Sequence, residues 1–339
     1  MYWKTDDIPD PQWRAERISA NLVPFEFIDT RPLSEEETAY CRFYGLDLHE
    51  AYPDLEHRLG RIDVTGYRIA VHYYRRPDSR GTVFIFHGYF DHAGLYGQLF
   101  AHCLGKGYDI LFYDLPGHGL SSGEPAVIDD FGAYQIILRE VLRRARGRTA
   151  EPWFAVGQST GGAILIDYLL SQGRDTSTFS AVVLLAPLIR PAAWLPARML
   201  HLMVSPFLRH WKRMFSENSA NPRFLRFLKE KDPLQPRAVS VDWVGALKAW
   251  VPVIENAPPI DFPVTVVQGE MDMTVDWRHN IGVIRDKFIR SHIMQLPEGR
   301  HHLVNEIADV QQQVFDIITD TFNGQPPEAG LSRRDKRSS

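Results

Sequence analysis

One short segment of the sequence places a candidate nucleophile on a tight turn. Gly157-Gln158-Ser159-Thr160-Gly161-Gly162 follows the apolar run 153–157 and precedes the apolar segment 163–170, which predicts a strand, a turn and a helix in that order. On such a turn the serine hydroxyl projects above the sheet, because the glycines keep Cβ atoms away from the neighbouring strand and helix. The helix N-terminus also places a positive dipole end beside a developing oxyanion. We therefore predict that Ser159 is a nucleophile for acyl transfer.

A serine nucleophile needs a base, and the base needs an acid that orients it. In hydrolases with a serine on this kind of turn, the acid and then the histidine follow the serine along the chain. Asp272 comes just after the apolar run 264–269, and His301 comes just after the run 292–297. Both are therefore expected at the edge of the sheet that carries Ser159. We predict Asp272 as the acid and His301 as the base.

Each of these two residues has a rival close by in the sequence. Asp276 follows Asp272 and could be the acid, although we favour a role for it as the cap of the next helix. His302 adjoins His301, and neighbouring residues in a loop point in different directions. We expect only one of the two histidines to reach the serine, and we expect His302 to be a surface loop residue.

Backbone N–H groups for an oxyanion hole are expected in two places. One is the N–H of Thr160, directly after the nucleophile, and the other comes from the loop after the strand 82–86. In that loop Gly88 allows a close approach of the backbone, and Tyr89 supplies the second N–H. Acyl transfer of this kind needs no metal ion and no organic cofactor, and we expect none.

The elements that must position these residues alternate along the chain. Short apolar runs, typical of strands buried on both faces, alternate with helical segments and lie at 82–86, 109–114, 153–157, 181–186, 264–269 and 292–297. This alternation predicts an α/β fold with a mostly parallel central sheet flanked by helices. Before it, two β-rich runs meet near Thr65-Gly66 and predict a hairpin.

The chain divides into four predicted parts. A helical N-terminal extension covers residues 1–58, where Ser34 and Glu37 form a capping box. The α/β core covers 59–186 and 260–322, and a helical lid is inserted at 187–259. The polar segment 323–339, basic at its end, is expected to be disordered.

Composition excludes several classes of function. The formal net charge of -4 argues against a broad basic surface, so we expect no nucleic-acid partner. We expect no secretory signal peptide and no transmembrane helix. Cys41 and Cys103 lie far apart and outside any metal-binding pattern, which favours free thiols in a reducing compartment. These observations favour a cytoplasmic protein; they do not predict its oligomeric state.

The predicted lid is rich in large apolar side chains, interleaved with basic ones. We predict that five of them contact the substrate: Trp194, Met199, Leu200, Met203 and Phe207. An amphipathic helix that only packs on the core is an equal alternative. An apolar face beside basic residues also suits peripheral contact with a membrane surface.

Several groups of residues, taken in order, resemble the monoacylglycerol lipase and lysophospholipase branch of the α/β-hydrolase superfamily, which is often grouped with serine aminopeptidase-like hydrolases. The resemblance covers the part of the chain from residue 60 to residue 320. The matching residues are His87-Gly88 with Asp91-His92 and Tyr96, Asp114 to Ser121, Gly157 to Gly162, Gly269 to Asp272, and His301 with Leu303 and Glu306. The chain departs from the family pattern at Gln158 and Thr160, where His and Met are usual, and at Asp91, where Glu is usual.

This resemblance implies a serine hydrolase of the α/β-hydrolase fold. By the family pattern Ser159, Asp272 and His301 form the triad, Tyr89 and Thr160 supply the oxyanion N–H groups, and a lid covers the acyl pocket. The expected substrate is a lipid or another small ester, with monoacylglycerol or lysophospholipid favoured. Two alternatives stay open. One is a short-chain carboxylesterase or peptidase of the same fold, and the other is a non-catalytic binding protein.

Overall fold

The computed structural model describes residues 10–28, 31–173 and 178–325. Its helices and strands follow one another along the chain in this order: α1 (Ala15–Asn21), α2 (Glu35–Tyr44), β1 (Glu56–Val64), β2 (Tyr67–Arg75), β3 (Thr82–Phe86), α3 (Gly97–Gly105), β4 (Asp109–Tyr113), α4 (Gly132–Ala145), β5 (Trp153–Gln158), α5 (Thr160–Gln172), β6 (Ala181–Leu185), α6 (Trp194–Val204), β7 (His210–Lys212), α7 (Pro222–Glu230), β8 (Ala238–Ser240), α8 (Val241–Asn256), β9 (Ile260–Gly269), α9 (Trp277–Lys287), β10 (Phe288–Leu296) and α10 (Ala308–Phe322).

Eight strands form one sheet in the order β1-β2-β4-β3-β5-β6-β9-β10. The pairs β1–β2 and β2–β4 are antiparallel, and all other neighbours are parallel. The predicted mostly parallel sheet is therefore confirmed, as is the hairpin at Thr65-Gly66. Thr65 and Gly66 both have positive φ, 49° and 81°. Glycine adopts such a conformation at little cost.

Helices cover both faces of the sheet and enclose a separate apolar core on each. One core lies under α4, α5, α8 and α9, and the other lies under α2, α3 and α10. Strands β3, β4 and β5 are buried along their whole length, which explains why their sequences are apolar without alternation. Cys41 and Cys103 are free and buried, as predicted.

The segment between β6 and β9 contains α6, α7 and α8, in agreement with its helical pattern. It also contains a small antiparallel sheet, in which His210 of β7 pairs with Ser240 of β8. These two strands could not be recognised in the sequence, because strands of three residues give no usable periodicity. The boundaries of the lid as a separate unit stay a prediction.

The described part of the N-terminal segment contains α1 and α2. Helix α2 begins at the predicted capping box, in which Ser34 and Glu37 each bind the other's backbone N–H, and it ends at Gly45 in the left-handed conformation. At the other end of the chain α10 ends at Phe322. The predicted disordered tail lies, from residue 326 onward, outside the described residues. Among the described helices none is both long and apolar enough to cross a membrane.

Candidate active site

Ser159 lies between β5 and α5 in a strained backbone conformation. Its φ of 52° and ψ of -110° lie in a region that residues other than glycine rarely adopt. Backbone hydrogen bonds hold it there, since its N–H donates to the Leu185 carbonyl at 2.9 Å and its own carbonyl accepts from Leu188 at 3.1 Å. A Cβ atom on Gly161 would collide with the Phe86 carbonyl, so the tight packing of this turn against β3 requires glycine.

The predicted acid, base and nucleophile lie in one hydrogen-bonded chain. His301 Nε2 is 3.0 Å from Ser159 Oγ, and His301 Nδ1 is 2.8 Å from Asp272 Oδ2. All three residues are buried. The structure thus brings together three residues that are up to 142 positions apart in sequence, with geometry suited to proton transfer between serine and imidazole. Their catalytic roles are a proposal, taken up below.

The Asp272 carboxylate is held by several donors besides the histidine. Its Oδ1 accepts the backbone N–H of Thr274 at 2.8 Å, and its Oδ2 accepts the Gln268 amide at 3.0 Å. Burial alone would raise the pKa of the Asp272 carboxyl, but the His301 imidazole and these hydrogen bonds hold it below its ordinary value. The carboxylate therefore stays ionised and fixed in orientation beside the imidazole.

The electrostatics of His301 are set mainly by two opposing effects. Burial alone would lower the pKa of the imidazole, but the facing Asp272 carboxylate raises it above the ordinary histidine value, with a further contribution from Asp91. An imidazole that is stabilised as a cation is a stronger base toward a serine hydroxyl. As the pH falls, such an imidazole is protonated, and so lost as a base, at a higher pH than a free histidine.

This shift predicts the acid side of the pH profile. If His301 has the predicted role of base, kcat/KM for the Ser159-dependent reaction should rise with pH through a pKa above the ordinary histidine value, because only a neutral imidazole can accept the serine proton. Initial rates at low substrate concentration across the pH range would measure it. An acid side of the profile with a pKa at or below the ordinary histidine value would contradict this account of His301.

Asp276 and His302, the rival candidates for acid and base, have other partners in the structure. Asp276 caps α9, where its carboxylate accepts the His279 N–H, as the sequence suggested. His302 is not the surface residue that we expected: it is 2% exposed, and its Nε2 lies 3.3 Å from Asp91 Oδ1. The prediction failed because the partners that bury this side chain, among them Phe224, come from distant parts of the chain.

The predicted oxyanion residues border the nucleophile. Thr160 is the first residue of α5, next to Ser159. A Cβ atom built on Gly88 would lie 3.3 Å from the Cβ of Ser159, so the loop that carries Tyr89 passes directly beside the serine. The Tyr89 ring stacks on Trp243 with ring centroids 3.9 Å apart, and its hydroxyl donates to the Ala126 carbonyl at 2.7 Å. Residue 89 is thus held by helix α8 and by the core.

Two residues near Ser159, Asp91 in this loop and Gln158 at the end of β5, were missed as positioning groups. Asp91 Oδ2 accepts the Gly88 N–H at 3.1 Å and the Tyr96 hydroxyl at 2.8 Å. Gln158, noted only as a departure from the family pattern, donates to the His301 carbonyl at 2.8 Å. The polar residues of the loop were visible in sequence, but the partners that give them a role are fixed only by the fold.

The five predicted lid contacts have different environments. Trp194 is buried in the core, whereas Met199, Leu200, Met203 and Phe207 are exposed, Phe207 by 84%. These four exposed side chains belong to a larger apolar surface on and after α6 that also includes Leu195 and Leu202. Contact of these residues with a substrate stays a prediction.

The eight-stranded sheet and its flanking helices define an α/β-hydrolase fold, with a buried serine on the turn from β5 to α5. Solved structures share this fold. A soluble variant of monoglyceride lipase from Saccharomyces cerevisiae aligns with a TM-score of 0.69 over 80% of this chain and 96% of that one, at 18% identity. Monoacylglycerol lipase from Paleococcus ferrophilus aligns with a TM-score of 0.64 over 75% and 99%, at 20% identity.

Sequence comparison identifies the family. The model of the family described as "Serine aminopeptidase, S33" matches residues 77–308, so the chain belongs to this hydrolase family. Mouse monoglyceride lipase (Mus musculus) is 28% identical over 298 residues, covering 82% of this chain and 93% of that protein. The human protein is 26% identical, with coverage of 83% and 94%. The resemblance to the monoacylglycerol lipase branch is thereby confirmed.

Proposed function

We propose that this protein is a serine ester hydrolase that releases fatty acid from a monoacylglycerol or a lysophospholipid through an acyl-enzyme on Ser159. The observation that carries the proposal is the buried hydrogen-bonded chain from Asp272 through His301 to Ser159. Relatives named monoglyceride lipase match this chain over more than nine tenths of their own length. They support a lipase- or esterase-type reaction and a lipid substrate.

In the first half of the proposed reaction, the Ser159 hydroxyl attacks the ester carbonyl carbon while His301 Nε2 accepts the hydroxyl proton. The carbonyl oxygen becomes an oxyanion, which accepts hydrogen bonds from the backbone N–H groups of Thr160 and Tyr89. Asp272 stabilises the imidazolium and keeps Nδ1 protonated. When the tetrahedral intermediate collapses, His301 gives its proton to the leaving alcohol oxygen and the acyl group stays on Ser159.

In the second half, water takes the place of the alcohol. His301 accepts a proton from the water as the oxygen attacks the acyl carbon, and the same two N–H groups hold the second oxyanion. The collapse returns the proton to Ser159 Oγ and releases the fatty acid. The proposed reaction is therefore hydrolysis, and its atoms balance without any further reactant.

The exposed apolar surface on and after α6 supports a lipid substrate. Its members are Leu195, Met199, Leu200, Leu202, Met203 and Phe207. Leu195, Met199 and Met203 recur at the spacing of one helix face. An exposed apolar face is costly in water and marks a surface that meets another apolar surface. Arg198 lies within the same helix, and basic residues beside an apolar face favour the boundary of a lipid aggregate. We propose that the lid contacts the aggregate in which the substrate is presented.

A second candidate function is hydrolysis of a peptide or amide bond. It is favoured by the description of the matching family as serine aminopeptidases. The same triad would serve, since an amide carbonyl is attacked in the same way and His301 would protonate the leaving amine. A peptidase needs in addition an anchor for the peptide terminus.

The experiment that tests the proposal compares four substrates with the wild-type protein and Ser159→Ala. Monooleoylglycerol and oleoyl lysophosphatidylcholine share one acyl chain and differ in the head group, while a butyrate ester and an amino-acid anilide represent the alternatives. We expect Ser159-dependent release that is fastest from one of the two lipids. If release were fastest from the short ester, the protein would be a general esterase. If release were fastest from the anilide, it would be a peptidase. No Ser159-dependent release from any of them would contradict the proposed chemistry.

A further inference from the structure

Tyr44, in the N-terminal segment, lies close to the loop of residues 88–92. We call this loop the oxyanion loop, because it carries Tyr89. Tyr44, near the end of α2, is fully buried, and its hydroxyl donates to Asp232 Oδ1 at 2.7 Å. Asp232 follows α7 in the insertion, 188 positions later in the sequence. Tyr44 lies outside the residues matched by the family model, which begin at residue 77. This contact therefore joins a segment beyond the family match to the insertion that follows β6.

Asp232 is the centre of a buried hydrogen-bond network. Besides Tyr44, its carboxylate binds His92 Nε2 at 3.0 Å and accepts the Gln235 amide at 2.9 Å and the Leu234 N–H at 3.1 Å. Burial alone would raise the pKa of the Asp232 carboxyl, but His92 and the other donors hold it below its ordinary value. A buried carboxylate keeps a single position only when its acceptor sites are filled.

The network contacts the loop of residues 88–92 at two points. His92 Nδ1 accepts the Gly94 N–H at 3.2 Å, so Nε2 carries the hydrogen that is donated to Asp232. Gln235, held by the same carboxylate, donates its amide to the Phe90 carbonyl at 3.0 Å. Phe90 has a positive φ of 72°, a conformation that needs such support. Asp232 thus fixes the loop on the C-terminal side of Tyr89.

The Tyr44 ring adds direct packing to this hydrogen bond. It contacts the His92 ring edge-on with centroids 5.0 Å apart, and a Cβ atom on Gly94 would collide with it. Phe227 of α7 packs on it from the side of the insertion. Tyr44 therefore sits where α2, α7 and the loop meet.

We propose that Tyr44 is a positioning residue for the oxyanion loop, which acts through Asp232 to fix the Tyr89 N–H beside Ser159. This inference rests on the proposed function, because it assigns the loop a role in stabilising the oxyanion. Without the Tyr44 hydroxyl, Asp232 loses one of its donors, and Gln235 and His92 lose a fixed partner. The loop then samples positions in which the Tyr89 N–H is misaligned.

Tyr44→Phe tests this role, because it removes the hydroxyl and keeps the ring. Helix α2 offers a matched control in Tyr40, which is also fully buried but whose hydroxyl has no hydrogen-bond partner among the described residues. Kinetics on a soluble ester would be measured for the wild type, Tyr44→Phe, Tyr40→Phe and Ser159→Ala. Active sites would be counted by covalent titration in the three proteins that keep Ser159, and by protein concentration in Ser159→Ala. We expect Tyr44→Phe to lower kcat about tenfold, a fraction of the effect of losing an oxyanion donor, with KM nearly unchanged. Tyr40→Phe should keep the wild-type kcat.

A role in folding alone would change the number of active sites and the melting temperature but would leave kcat per site unchanged. Equal kcat per site in Tyr44→Phe and the wild type would therefore overturn the inference, as would an equal loss in Tyr40→Phe. If the wild type itself showed no Ser159-dependent turnover, the proposed function would fail, and this inference with it. The Ser159→Ala sample separates that outcome from a failure of the inference alone.

Discussion

Replacing Ser159 by alanine is expected to lower fatty-acid release from monooleoylglycerol by at least about 10⁴-fold. The substitution removes the atom that would form the proposed acyl-enzyme and leaves His301 and Asp272 in place. The residual rate comes from attack by water on the bound substrate, whose oxyanion the backbone N–H groups still stabilise. Release of labelled fatty acid, measured over hours with excess enzyme, would quantify a loss of this size.

The fold should survive this change. Alanine is smaller than serine and can adopt the same strained φ at a similar cost, so the melting temperature should change by only a few degrees. Ser171→Ala, at the other end of α5, is the matched control, because among the described residues that hydroxyl binds only the Tyr168 carbonyl and Arg139. A folded Ser159→Ala protein with more than about a hundredth of the wild-type rate would contradict the role of Ser159, since loss of a serine nucleophile costs far more.

Asp272→Asn is the second substitution with a large expected effect, a loss of about 10³- to 10⁴-fold in kcat at neutral pH. The asparagine oxygen can still accept the Thr274 N–H. Its amide group would then face His301 Nδ1 as a donor, and Gln268 would lose its acceptor. The imidazole would hold its hydrogen on Nε2 and could not accept the Ser159 proton. Steady-state kinetics with an ester substrate would measure the effect.

Asp276→Asn is the control that also separates the two candidate acids. Asparagine caps a helix about as well as aspartate, so this variant should keep nearly full activity and stability. If Asp276→Asn lost more activity than Asp272→Asn, the assignment of the acid would be wrong, even though Asp272 lies 2.8 Å from His301 in the structure.

The parts of the fold that follow local rules could be predicted from sequence. The central strands were recognisable because burial on both faces makes a strand apolar throughout, and the capping box of α2 because Ser34 and Glu37 have a fixed spacing. The turn that carries Ser159 could be recognised because steric crowding at Gly157 and Gly161 restricts the sequence there. The closeness of Asp272 and His301 to Ser159 could be predicted because each directly follows a strand, and the carboxyl ends of parallel strands share one edge of the sheet.

The parts that depend on distant partners could not be predicted. His302 gave no indication of its burial, because Asp91 and Phe224 are remote in sequence. The same is true of Tyr44, which looks like one more apolar position of α2 until Asp232 is placed beside it. Strands β7 and β8 are too short for a pattern. In each case a long-range contact decided the environment of the residue.

The measurement that tests the central claim most directly is covalent labelling with a fluorophosphonate, followed by peptide mass spectrometry and assay of the labelled protein. Such a reagent captures a serine that is activated by a neighbouring base. We expect one adduct per chain, located on Ser159, with monooleoylglycerol hydrolysis lost in proportion to labelling and no adduct in Ser159→Ala. Full hydrolysis after stoichiometric labelling of Ser159, or an adduct on another residue that abolishes hydrolysis, would contradict the central claim.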